Sequence, residues 1–167
     1  MIGQEGEQTG FFRALLGKVP SSSPFLTRST REFAFSALQS FVVEGSCLNI
    51  EDINLPTFGA LELAGISASG SGAMLTFTTK GDEKVCASNS LVYLFGQNVP
   101  EIAKIENIEC EDSDDGQACT FTAEYPTELL INRGLTIAAV TKGDGPFEDV
   151  DAVVDDALFA PGLIELN

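Results

Sequence analysis

Between residues 58 and 95 apolar and polar side chains alternate, and a period of two leaves a chain few choices besides extended strands. Leu61 and Leu63 flank Glu62, while Leu75, Phe77 and Thr79 share a face opposite Met74, Thr76 and Thr78. Residues 91–95, LVYLF, are apolar on both faces. A strand of that kind must be covered from two sides, which predicts a central position and a second layer over it. The Gly- and Ser-rich stretch 67–72 reads as a flexible reversal and 80–83, KGDE, as a tight polar turn. Together these predict three consecutive strands of a β-meander.

The same period recurs downstream. Cys119, Phe121, Ala123 and Tyr125 share one face against Thr120, Thr122 and Glu124, and residues 104–110 form the strand expected to pair with 118–125. Ile102, Ile105 and Ile108 recur every three residues, a helical spacing that competes with this reading. Further strands are expected at 129–131 and 135–140. The apolar scrap 163–166 reads as an edge strand on its own sheet or on a neighbour's, after an interruption at Pro161-Gly162. Upstream, Phe33 and Phe35 alternate with Glu32 and Ala34, so 31–44 is read as one long or two short strands, with helix competing over 35–41. Residues 48–50 and 53–55 are read as short edge pieces. The expected fold is all-β, a single sandwich or small barrel of antiparallel strands over residues 25–167.

Residues 1–24 read as an arm with a hinge. Residues 1–9 are polar and contain glycine, and are expected to be mobile or ordered only by a partner. Phe11, Phe12, Leu15, Leu16 and Val19 fall on one helical face, with Arg13 and Lys18 away from it, Thr9 as cap and Pro20 as stop. A helix of nine or ten residues needs a surface to be stable. That surface is either its own β-domain, which it would lid, or a partner. Residues 20–24, PSSSP, have the composition of a linker.

The charge is uneven. Residues 1–31 carry Arg13, Lys18, Arg28 and Arg31 against Glu5 and Glu7, a net +2, so the remainder of a chain with net charge -16 carries -18. An acidic body repels nucleic acid, whose affinity comes from cationic side chains displacing counterions, so no direct nucleic-acid partner is expected. No run of 18 apolar residues exists to span a membrane, and residues 1–7 lack the charged and apolar regions of a secretory signal. The expectation is synthesis in the cytoplasm without membrane contact.

The 167 residues include no histidine, which excludes Ser-His and Cys-His nucleophile systems and removes the commonest metal ligand. Phosphate-cradling glycine motifs and C-x-x-C are missing too. Carboxylates remain, crowded at 106–115 and 144–156. Two of them suffice for a glycosidase, but with no Trp and two Tyr the chain lacks the usual sugar platform, and no enzyme activity or cofactor is expected. Calcium is the other use for such clusters, with Asp112, Asp114, Asp115, Asp149 and Asp151 as candidate ligands. The EF-hand alignment from Glu111 fails at Thr122, where a bidentate Glu is required, so no metal site is assigned. Four cysteines allow three pairings; Cys110 with Cys119 would clip two strands at their turn, leaving Cys47 with Cys86, and in a reducing compartment all four stay as thiols.

An acidic, unsignalled all-β chain rich in Gly, Ser, Thr and Ala, with an apolar-basic arm and no catalytic kit, resembles the accessory virion proteins of tailed phages, the capsid cement or decoration class. The resemblance is one of layout. It implies a structural virion protein, often trimeric, seated at junctions of the major capsid protein. A terminal segment, here Phe11, Phe12, Arg13, Leu15, Leu16 and Val19, would hold neighbours together. Two other readings fit the layout: a tail or connector component of the virion, and a ligand- or glycan-binding β-sandwich with acidic calcium loops.

Overall fold

The computed structural model describes residues 2–18, 26–43, 45–69, 72–113, 116–126 and 134–166. In chain order these are helix α1 (Ile2–Leu15), helix α2 (Arg31–Gln39), a 3-10 turn (Ile50–Asp52), strands β1 (Ala60–Ser69), β2 (Gly72–Gly81), β3 (Ser90–Phe95), β4 (Glu101–Ser113), β5 (Gly116–Tyr125) and β6 (Gly134–Thr141), helix α3 (Val150–Asp156) and strand β7 (Ala157–Leu166). The expected all-β class is observed, as a nearly closed seven-stranded antiparallel barrel.

The strand order is β1-β2-β5-β4-β3-β6-β7. β1 and β2 form the expected hairpin, Ala60 opposite Lys80 through Ser69 opposite Gly72. The meander stops there, because β2 pairs with β5 and β3 lies between β4 and β6. The segment after β2 therefore crosses to the far side of the barrel. β4 spans the join: Glu101–Lys104 pair with β3, while residues 105–113 pair with β5. The barrel closes where the Gly59 N–H donates to the Leu158 carbonyl (3.1 Å) and the Ala160 N–H to the Gly59 carbonyl (3.1 Å), a parallel bridge between the start of β1 and β7.

Alternation fills the interior. Leu61, Leu75, Phe77, Leu91, Tyr93, Ile105, Phe121, Tyr125, Val140, Phe159 and Ile164 point inward and are buried. Phe77 stacks on Phe121 at 5.6 Å and Tyr93 meets Tyr125 edge-on at 5.1 Å. Each such side chain removed from water contributes about 1.5–3 kcal/mol. β3 is apolar on both faces because Val92 and Leu94 point outward into a second core with Ile137 and Ala139 of β6. Phe33 of α2 and Val150 and Val153 of α3 cover that core. The expected second layer exists, and it is helical.

That layer corrects the reading of 31–44. Phe33 and Phe35 alternate, but the Thr30 hydroxyl accepts from the Phe33 N–H at 3.3 Å and caps a helix. The helix buries Phe33 edge-on against Phe58 at 5.5 Å. Residues 48–50 and 53–55 are not strands either; the first run into the 3-10 turn at Ile50 and the second follow it. The three-residue spacing of the isoleucines is a bulge, not a helix. Between Glu106 and Glu109 β4 carries one residue more than β5, with Asn107 at φ 51°. The extra residue resets the alternation so that Ile105 and Ile108 both face the interior core. Pro161-Gly162 does not end the last strand: β7 runs through it, and its register shifts between Ala138 and Val140 at that point. Proline is tolerated at such an irregularity because no ladder bond requires its missing N–H.

Candidate functional site

α1 begins at Ile2 rather than near Thr9, so the stretch expected to be mobile is helical and Thr9 lies inside the helix. Gly17 ends it. With φ 70° it adopts the left-handed conformation that suits glycine, the Lys18 N–H reaches the Arg13 carbonyl (2.9 Å) and the Gly17 N–H the Ala14 carbonyl (3.1 Å). Val19 and the hinge 20–24 lie outside the described residues.

Phe11, Phe12, Leu15 and Leu16 are between 60% and 73% exposed. Phe11 and Phe12 contact each other edge-on at 5.8 Å. A helix acting as a lid would bury this stripe, so α1 does not cover its own barrel with it. Instead α1 touches the body through Arg13, which forms an ion pair with Glu165 of β7. The Arg13 hydrogen bond, reinforced by the charges of Arg13 and Lys18, holds the Glu165 carboxyl below the usual range. Segment 26–30 is tied down next to it. The Arg28 N–H donates to the Gly96 carbonyl (3.0 Å) and the Arg28 Nε to the Gln97 side chain (2.9 Å). The Thr27 hydroxyl accepts from the Gly96 N–H (3.0 Å) and donates to the Leu135 carbonyl.

A second apolar surface was not foreseen. The end of α2 and the loop after it expose Leu38, Phe41, Val43, Leu48 and Ile53, with Phe41 83% and Leu48 94% accessible. In the expected strands over 31–44 and edge pieces at 48–50 and 53–55 these residues would belong to the sheet. Placed as a helix end and a 3-10 turn, they have no sheet to cover. Three neighbouring apolar residues, Phe41-Val42-Val43, directly before Glu44-Gly45 are the sequence signal that could have marked them.

The carboxylates serve local structure. The Asp149 carboxylate accepts from the Ala152 N–H (3.0 Å) and caps α3. Asp156 accepts from the Gly143 N–H (2.8 Å), and Asp112 accepts from the Gln117 amide. Asp151 sits exposed in the first turn of α3, and Asp114 and Asp115 lie outside the described residues. Among the described residues no three carboxylate or thiol groups converge to hold a metal ion. A wide groove of about 520 Å³ separates the N-terminus of α2 from that of α3, with Arg28 and Arg31 facing Asp149 and Asp151. Its charges are mixed, and both helix ends are capped from within by Thr30 and Asp149.

Cys110 and Cys119 occupy paired positions on β4 and β5, with Cα atoms 4.0 Å apart, and form a disulfide. The complementary pairing is not formed: Cys47 and Cys86 are free and exposed. Hydrogen bonds from Ser88, then Asn89, lower the pKa of the Cys86 thiol. Among the described residues no helix is long and apolar enough to cross a membrane. Comparison with protein families, with curated proteins and with solved structures returns no match.

Proposed function

We propose that the chain is a non-enzymatic structural protein of a virion, a capsid decoration protein whose α1 docks on a neighbouring subunit while the barrel supplies the rigid body. One observation carries this reading: four large apolar side chains on one short helix stand in water, held to the barrel by an exposed ion pair. An exposed ion pair contributes about 0–1 kcal/mol, whereas burying one Phe or Leu contributes about 1.5–3 kcal/mol. The helix therefore has far more to gain from a partner than from its own body. The acidic remainder suits a body that stays soluble and repels nucleic acid packaged nearby.

Deleting residues 1–24 tests the proposal. The truncated barrel is expected to keep its near-ultraviolet circular dichroism and its melting temperature, because the described core residues begin at Phe33. Its incorporation into particles assembled with the major capsid protein is expected to be lost. Normal incorporation of the truncated chain would overturn the role given to α1, and unfolding would make α1 part of the core.

A further inference from the structure

We propose that the docking surface for α1 is the apolar loop after α2 on a second copy of this chain, so that copies associate head to tail. This rests on the reading of α1 as a docking element and names its partner. Two unpartnered apolar surfaces stand on the same molecule: Phe11, Phe12, Leu15 and Leu16 on α1, and Leu38, Phe41, Val43 and Leu48 at the end of α2 and beyond. Their charges are complementary. The end of the arm next to its apolar stripe carries Lys18 and Arg13, the latter already ion-paired with Glu165, with Glu5 and Glu7 confined to the start of α1, whereas 36–58 contain Glu44, Glu51 and Asp52 and no Lys or Arg. An arm-to-loop contact sets the cationic end of the arm against an acidic loop.

The sizes are adequate. Aromatic side chains bury on the order of 150–250 Å² each, so two such surfaces approach the lower bound of about 1,200 Å² for a specific interface. A contact between two different patches is heterologous, and it closes into a ring when the rotation per subunit divides a full turn. Donor and acceptor are then both used in every copy.

Analytical ultracentrifugation of the full chain gives the first readout, with a self-associating species expected. Phe12→Asp and Phe41→Asp each replace an exposed side chain, and each is expected to weaken association by about tenfold or more. Mixing the two variants is the decisive step. Each retains the surface the other has lost, so a dimer of one with the other is expected, whereas a symmetric contact would give none. In a Cys86→Ser background, a short bismaleimide is expected to join Ala14→Cys of one copy to the native Cys47 of another. A monomeric full chain, a mixture that stays monomeric, or cross-linking confined within one chain overturns the proposal. If such a monomer still loses particle incorporation on deletion of residues 1–24, the docking role stands and only the self-partner falls. If the ring forms but deletion leaves incorporation intact, the reverse holds.

Discussion

Gly59 is where the barrel closes, and replacing it with alanine tests whether that closure limits stability. A Cβ there would lie 2.4 Å from Cδ1 and 2.7 Å from Cε1 of Phe159, with the Lys80 carbonyl at 3.3 Å. Phe159 is fully buried, so its ring can retreat only by displacing packed neighbours. The backbone cannot withdraw without stretching the two 3.1 Å hydrogen bonds to Leu158 and Ala160. Glycine to alanine normally stabilises by about 0.4–1 kcal/mol through the unfolded chain, while forcing an extra methyl into a packed core costs about 1–3 kcal/mol. The clash wins, and Gly59→Ala is expected to destabilise by about 1–2 kcal/mol, which lowers the melting temperature by about 2–4 °C per kcal/mol for a chain of this size. With no tryptophan in the chain, urea unfolding is followed by circular dichroism. Phe159→Leu shortens the ring that clashes, so the double variant should be less destabilised than the two single changes added together, by about 0.5 kcal/mol or more. A Gly59→Ala protein as stable as the parent, or strict additivity, would refute the steric account of the seam.

Tyr93 is fully buried and its hydroxyl has no hydrogen-bond partner among the described residues, so Tyr93→Phe is expected to be neutral or stabilising by up to about 1 kcal/mol. Tyr125 shares a 2.8 Å hydrogen bond with Thr136, so Tyr125→Phe should cost about 1 kcal/mol; equal effects of the two in urea unfolding would contradict this difference. Reducing the Cys110–Cys119 bond, which closes a loop of sequence separation 9, is expected to cost about 2–3 kcal/mol; an unfolding midpoint indifferent to reductant, with opening verified by mass, would refute it. Arg13 depresses the Glu165 pKa, so this contact contributes fully above the unfolded carboxyl value of about 4.3 and is lost as pH falls through the lower folded value. Protection of the α1 amides relative to their intrinsic exchange rates should then fall in acid in the parent and stay constant over that range in Glu165→Gln, and equal behaviour of the two would refute it.

The local character of the barrel strands was legible in the chain because it needs only nearest neighbours. Alternation at Leu75-Phe77-Thr79 and at Cys119-Phe121-Ala123-Tyr125 places each of these strands with one face inward, and the two-sided apolar run at 91–95 marks the strand covered on both faces. The absence of histidine likewise excludes Ser-His and Cys-His nucleophile systems whatever the fold. Adjacency was not legible: that β2 joins β5, and β3 joins β4 and β6, depends on which faces meet across the barrel, and no local pattern records it. Residues 31–39 carry an alternation and a helical spacing at once, and only the place for Phe33 between α3, β3 and β6 decides for the helix. Once α2 is a helix, the loop after it leaves the sheet, and Phe41 and Leu48 become surface. The candidate docking site is thus half sequence and half fold: the stripe on α1 follows from spacing, whereas its proposed acceptor exists because tertiary packing used Phe33 and left Phe41 uncovered.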